Sequence, residues 1–539
     1  MLKSPHHLIR KTLIGRYESL HHEHASYKWW VLANIMIGTF MAVLDATIVN
    51  VALPKIMASF GVDIDTIKWV MTAYLLVFAV MLPTSGWVAD HFGYRRTYFL
   101  ALGLFTAGSF LCGLAWNENA LIIARIIQGA GAGFLMPVGM AIVTREFPPE
   151  KRGIALGFWS IAAAASVSLG PMIGGYLCDN LDWQSIFDVN VPIGILGMVA
   201  TLVIQREYKT EHVRSFDFLG CISVATFLTF LLLALSDANA DWNAGGWTSN
   251  FILTCFAISA VGLVVFLITE FTVEHPLIEL KLLGNFNFAV ANTVLFIFGL
   301  GMFGSTFLLP LYLQNSLGYT AFQAGSVFLP VGIIQGILSP VAGIMSDKVN
   351  PKIPAVLGFL FLGVSLYLNG FLSEYSESQQ IMVSLYLRGV GMGLVFTPLS
   401  TIALSGISKA KMAQASGLFN VIRQIGGSFG IAILGTLLTQ RTIYHSSLYG
   451  QAVDIYSPAY RHVIATTQHF AQQVTGGTLG LANMRANALI ISHIGNQAFI
   501  QAINDDFLIA AAITIIGALP ILILRVKASH KSEKSASLE

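Results

Sequence analysis

An aspartate stands inside an otherwise almost wholly apolar stretch, Phe40-Met-Ala-Val-Leu-Asp45-Ala-Thr-Ile-Val-Asn50-Val-Ala-Leu-Pro54. Removal from water disfavours the charged form of a carboxylate. A group in such a place can take and release protons near neutral pH, or it can be a hydrogen-bonded aspartate that only fixes packing. A second set of residues is Arg125 with Gln128, Gly129, Gly131 and Gly133. Arg125 is the natural electrostatic partner of Asp45, and the glycines suit close helix approach. If substrate or conformation alters the Asp45–Arg125 contact, proton release is coupled to it. A third set is Gly86, Asp90, Gly93, Arg95 and Arg96. Its charges could pair in one conformation and separate in another, as a latch, or the arginines could simply anchor a loop.

These residues need helices in a membrane to position them. Of the 539 residues, 55% are hydrophobic and 11% charged, where soluble domains carry about 25% charged residues. A bilayer core needs roughly 20 apolar residues per span. Such runs occur near 29–53, 66–88, 97–116, 119–143, 153–178, 186–205, 218–235, 250–273, 287–312, 322–345, 354–373, 380–403, 414–440 and 504–525. Fourteen spans put both termini on one side. That side holds 22 of the 30 Lys and Arg residues, so both termini are expected in the cytoplasm. Asp45 then lies about 24 Å into its helix, in the middle or outer half of the membrane. No cleavable signal peptide is visible. Cys112, Cys178, Cys221 and Cys255 lie in or beside spans and read as small apolar residues. The formal charge of +2 gives no indication of nucleic-acid binding.

The chain repeats itself. Gly86-Trp-Val-Ala-Asp90 ends the second span, and Gly343-Ile-Met-Ser-Asp347 ends the tenth, 257 residues later. Arg388 with Gly389, Gly391 and Gly393 echoes Arg125 with its glycines, in a register that differs by about one turn. The partition is a cytoplasmic tail 1–28, a six-helix bundle 29–206, two inserted helices with a cytoplasmic amphipathic segment 207–286, a second bundle 287–525, and a tail 526–539. The second bundle includes an external loop 441–503. Paired six-helix bundles with a site between them suit alternating access.

Here the residues match a known pattern. Leu44-Asp45-Ala-Thr47-Ile-Val-Asn50-Val-Ala-Leu-Pro54, Gly86 to Arg96, Arg125 to Gly133, and Ser166-x-x-x-Gly170-Pro171-x-x-Gly174-Gly175 stand in order on spans one, two to three, four and five. From about residue 28 to 525 the chain resembles the fourteen-span drug:proton antiporters of the major facilitator superfamily, the EmrB/QacA type. It departs from the pattern at His91 and Tyr94, where a basic residue is usual, and at Ser166, which replaces a glycine. The resemblance implies an all-α membrane protein with the major facilitator fold: two six-helix bundles plus two inserted helices. It implies a proton-coupled exporter of amphipathic drugs across the bacterial inner membrane, driven by the proton gradient and needing no cofactor. The fifth-helix motif carries the export direction, and Gly170, Pro171, Gly174 and Gly175 join the conformational residues. Pro171 removes one backbone hydrogen bond and allows a kink. Export of a single metabolite, lipid or siderophore remains open. A membrane enzyme or receptor is disfavoured, since the chain shows no phosphate loop or nucleophile constellation.

Substrate-cavity candidates are Tyr74, Gln128, Trp159, Phe303, Phe307, Gln335, Phe419, Asn420 and Arg423, the last a further intramembrane cation. Glu270, Glu374, Asp505 and Asp506 are read near span ends. Loop 441–503 is expected to form one or two helices, with His445, His462, His469 and His493 as surface residues. Together with the resemblance, this loop suggests docking to a periplasmic adaptor protein and an outer-membrane channel; otherwise it caps the outer cavity. Segment 274–286 reads as a short amphipathic helix on the cytoplasmic face, and His21-His22-Glu23-His24 as part of a tail.

Overall fold

The computed structural model describes residues 26–524 except 63, 209–215, 239–241, 275, 349, 409–410, 454–455 and 476–478. The expectations for the terminal tails fall outside these residues. The described chain is helical, with no strand. The first bundle contains α1 (Tyr27–Phe60), α2 (Ile64–Phe92), α3 (Tyr94–Gly113), α4 (Glu118–Glu146), α5 (Arg152–Asn180) and α6 (Asn190–Ile204). Helices α7 (Phe218–Asp237) and α8 (Asn250–Thr272) form the insert. The second bundle contains α9 (Phe286–Asn315), α10 (Leu329–Lys348), α11 (Lys352–Leu368), α12 (Ser378–Ser405) and α13 (Met412–Ala452). Then follow α14 (Pro458–Thr475) and α15 (Leu479–Ile516). Twelve helices among the described residues are long and apolar enough to cross a membrane. Helices α3 and α5, of 20 and 29 residues, occupy the other two expected spans.

Helices are the form in which a chain satisfies its own backbone inside lipid. Their ends are set by local chemistry. Asn117 starts α4 by accepting from the N–H of Ala120 at 2.8 Å. Asp217, Ser249 and Asn285 cap α7, α8 and α9 in the same way, each cap stabilising by about 1 kcal/mol. Gly61 ends α1 at φ 67°, and Gly93 separates α2 from α3 at φ 96°, conformations that favour glycine. A Cβ on Gly93 would also lie 2.2 Å from the Glu207 carboxylate.

The repeat is visible in the packing. Gly129 and Gly133 abut α2 at Tyr74 and Phe78, while Gly131 abuts α3 at Phe105. Gly389 and Gly393 abut α10 at Val331 and Gln335, while Gly391 abuts α11 at Leu362. The glycines are the equivalent positions, so Arg388 stands where Gln128 stands in the first bundle. This accounts for the one-turn offset of the two arginines.

The insert forms a tight pair, with Gly262 of α8 against the Phe227 backbone of α7. It is fastened to the second bundle by the Trp247 indole N–H, which donates to Thr436 at 2.6 Å. One expectation is corrected: among its described residues, segment 274–286 holds a 3₁₀ turn, Leu280–Gly284, held to the bundle by a Lys411–Glu279 ion pair. Segment 441–503 forms helices that lead into the last span, as expected: α13 runs on to Ala452, α14 follows, and α15 starts at Leu479 and enters the bundle unbroken.

Candidate functional site

Asp45 is fully enclosed, at 0% exposure. One carboxylate oxygen pairs with Arg125 of α4. The other accepts from the Gln128 amide at 2.7 Å and from the Asn190 amide at 3.2 Å. Arg125 also donates to the Val70 carbonyl at 3.1 Å and to Gln128 Oε1 at 2.6 Å. Its guanidinium lies 4.1 Å from the centre of the Tyr74 ring, a favourable cation–π distance. Gln128 donates on to Ser109 at 2.6 Å. Five helices thus contribute to one network: α1, α2, α3, α4 and α6. Breaking such a pair by removing one partner costs about 3–5 kcal/mol, because the other charge stays buried.

Asn190 is the residue that sequence reasoning missed. Its Nδ2 donates to Asp45, while its Oδ1 is buried without a partner. A protonated Asp45 needs an acceptor for its O–H. An amide flip would offer Oδ1, so Asn190 can serve either protonation state. Tyr74 and Gln128, expected in a substrate cavity, belong instead to this network. Tyr74 donates through its hydroxyl to the Ala42 carbonyl at 3.1 Å.

The second bundle has no equivalent pair among the described residues. Arg388 is enclosed and donates to the Met302 carbonyl, Ser305 and Thr306 at 3.3, 2.7 and 2.7 Å.

Asp90 accepts from the Tyr94 hydroxyl at 3.0 Å. Glu207 accepts from the Arg95 backbone N–H at 3.2 Å and approaches Arg96 Nε at 3.6 Å, while the Arg95 guanidinium donates to the Leu202 carbonyl at 2.5 Å. Burial raises the Glu207 carboxyl above its ordinary value, partly offset by the Arg95 and Arg96 donors. Asp347 bridges the two halves: it accepts from the backbone N–H groups of Gly153 and Ile154 at 2.9 and 3.0 Å. An anion at the first turn of α5 is favoured by the helix dipole. Gly86 is closely packed: a Cβ there would meet the Gln414 backbone at 3.0 Å. The ends of the two halves that carry Gly86 and Asp347, expected on the cytoplasmic side, are therefore in contact along both α5–α10 and α2–α13.

Helix α5 runs unbroken through Pro171. Gly170 and Gly174 abut Thr47 and Ile48 of α1, and Gly175 abuts Phe322 of the second half. The motif thus packs α5 simultaneously against its own bundle and the opposite one.

Four cavity candidates converge where the halves meet. Trp159 donates to Thr39 at 2.8 Å and lies 6.0 Å from Phe396, which lies 6.1 Å from Phe419. Arg423 donates to Asn420 at 3.3 Å and lies 5.5 Å from the Phe396 ring. Phe396, Met136 and Met140 complete this group and were not singled out in the sequence, where apolar residues on membrane helices look alike. The other candidates lie apart from it: Phe303 packs on Gly427, Gln335 on Gly393, and Phe307 is exposed.

On the external side, His445 pairs with Asp505 at 2.9 Å and His493 approaches Glu374 at 3.6 Å. His445 is buried, while His462, His469 and His493 are exposed, as expected of surface residues. Asp506 is fully enclosed, although its position in the sequence suggested a span end.

The family model described as Major Facilitator Superfamily matches residues 35–431. The chain is 32% identical over 480 residues to "Multidrug export protein EmrB" of Haemophilus influenzae, covering 88% of this chain and 92% of that one. It is 30% identical over 509 residues to "Uncharacterized MFS-type transporter YhcA" of Bacillus subtilis, covering 94% and 95%. Among solved structures, the proton:xylose symporter XylE matches with TM-score 0.58 and 13% identity, over 96% of this chain and 100% of that one. At that identity the likeness speaks for the fold alone.

Proposed function

The chain belongs to the major facilitator superfamily, with EmrB-type exporters among its relatives, and from that membership we propose a proton-coupled exporter of amphipathic compounds. It is a multi-pass membrane transporter rather than an enzyme, placed in the bacterial inner membrane by its relatives. The observation that carries the proton-coupled reading is the enclosed Asp45–Arg125 pair with its Asn190 neighbour. An ionised Asp45 neutralises Arg125 and keeps the network closed. A proton arriving from outside cancels the carboxylate charge, loosens Arg125 and favours rearrangement of the bundle. Release of that proton to the cytoplasm resets the pair. The proton gradient is then the energy source, with no cofactor required. Gly86, Gly93, Asp90, Arg95, Arg96 and Asp347 act on the equilibrium between access states, and the aromatic group at the interface faces the substrate.

The test is transport by the purified protein in liposomes with an imposed pH gradient. Tetraphenylphosphonium and a dansyl-labelled carboxylate serve as amphipathic probes. Accumulation against a concentration gradient, abolished by a protonophore, is the expected result. Accumulation that follows the probe gradient alone, with no response to pH, would rule out proton coupling.

The EmrB-type resemblance adds a partner, a periplasmic adaptor leading to an outer-membrane channel. In support, α14 and α15 frame a groove of about 430 Å³ lined by Tyr460, Val463, Leu489 and His493, with Val463 and Leu489 half exposed. Val463→Glu with Leu489→Glu is expected to leave transport in liposomes within about twofold of normal, since surface changes are usually mild. Co-purification with a co-expressed adaptor should be lost. Retained co-purification, or transport lost in liposomes too, assigns the segment to capping the outer cavity.

A further inference from the structure

Arg125, Arg388 and Arg423 lie deep within membrane helices, and their surroundings differ. Arg125 has Asp45. Arg388 has three oxygen acceptors on α9. Arg423 has neither arrangement. Among the described residues its one oxygen acceptor is Asn420 Oδ1 at 3.3 Å, and the same nitrogen meets the Met136 sulfur at 4.0 Å. Its Nε is enclosed without an acceptor. Among the described residues no carboxylate offsets its charge. A guanidinium carries five N–H donors in a planar fork suited to carboxylates. A buried cation is expensive unless paired or hydrated.

The position of Arg423 is as informative as its lack of a counter-charge. It lies eleven residues into α13, about 17 Å from the cytoplasmic end and so near mid-membrane. Met136 and Met140 of α4 reach it and Asn420 from the first half. Phe396 of α12 lies 5.5 Å away on the second half, backed by Trp159 of α5. The side chain remains partly accessible. A cation lacking a counter-charge among the described residues thus stands beside an apolar wall of aromatic rings and adaptable thioethers, contributed by both halves. A molecule with one anionic head and an apolar body would satisfy both features.

We propose that Arg423 is the head-group contact of a substrate site between the two halves, and that this site takes amphipathic organic anions, carboxylates foremost. The proposal rests on the exporter reading and specifies the substrate class. The head group sits on the Arg423 fork, and the apolar body lies along Phe396, Trp159 and Met136. The site borders helices of both halves, so either access state can reach it.

The experiment measures binding and transport by the purified full-length protein. The probes are 11-(dansylamino)undecanoate, its primary amide, and tetraphenylphosphonium. Loss of one partner of a desolvated charge pair weakens binding by about 30-fold or more. Wild-type protein is therefore expected to prefer the carboxylate over the amide by about that factor. Arg423→Gln should bring the ratio close to one, while Arg423→Lys keeps most of the preference. Equal wild-type affinity for carboxylate and amide overturns the proposal, and this comparison needs no variant to fold. A carboxylate preference that survives in Arg423→Gln also overturns it, by placing the anion contact elsewhere. Wild-type transport of tetraphenylphosphonium without transport of the carboxylate removes the anion site but leaves the exporter. Transport of neither probe under any gradient counts against the exporter reading itself.

Discussion

Asp45→Asn is expected to reduce gradient-driven accumulation to the level of empty liposomes. Asparagine has nearly the same shape and can keep hydrogen bonds within the network. It cannot ionise, so the proton-dependent attraction for Arg125 disappears. The substitution also leaves Arg125 buried against a neutral amide, at a cost of about 3–5 kcal/mol. Loss of transport alone could therefore mean loss of folding. The double variant Asp45→Asn with Arg125→Gln separates the two effects. Removing both charges of a buried pair is far milder than removing one, so thermal stability should return toward normal. Uphill transport should stay absent, and downhill exchange of probe should lose its dependence on pH. If the double variant accumulates probe when given a pH gradient, the coupling group lies elsewhere.

Part of this arrangement could be read from the chain and part could not. A single acid and a single arginine in neighbouring apolar helices have strong physical reason to meet, and Asp45 and Arg125 do. The helices themselves were legible because lipid requires long apolar runs with closed backbone hydrogen bonds. Asn190 was hidden because an uncharged amide at the start of a helix resembles a cap, and nothing in its local sequence indicates a partner 145 residues away. The repeat exposed Asp347 as a counterpart of Asp90, but not its contact. Backbone N–H groups at Gly153 and Ile154 receive it, and a backbone donor has no side-chain signature. Arg95 and Arg96 were matched to the acid nearest in sequence, whereas the fold brings Glu207 to them across the end of α6. Beyond the membrane the apolar rule stops applying, so the continuation of α13 to Ala452 and the early start of α15 were not marked by composition.

Gly343→Ala is expected to open the cytoplasmic ends of the two halves and to slow export by about 5- to 150-fold. A Cβ on Gly343 would lie 2.2 Å from the Gly153 carbonyl oxygen, and one on Gly153 would lie 2.5 Å from that of Gly343. Both obstacles are backbone atoms, so no side-chain rotation relieves them. The halves must separate, which also pulls the Asp347 carboxylate away from the N–H groups of Gly153 and Ile154. Overpacking of this kind costs about 1–3 kcal/mol, paid only in the conformation where the ends touch. A penalty of that size shifts a two-state population by about 5- to 150-fold. Gly336→Ala is the control on the same helix, since its Cβ would find only Ile161 at 3.6 Å, and its transport should stay near normal. Asp347→Asn should give a weaker version, because a carboxylate at a helix N-terminus contributes about 0.3–1 kcal/mol, rising toward 2 when partly buried. Spin labels at the exposed positions Glu150 and Asn350 report the separation directly. The expected record is a longer mean distance in Gly343→Ala, a smaller shift in Asp347→Asn, none in Gly336→Ala, and binding of probe from the cytoplasmic side retained in all three. An unchanged distance distribution together with lost transport would show that the Gly153–Gly343 contact supports folding of the bundle and does not report the access equilibrium.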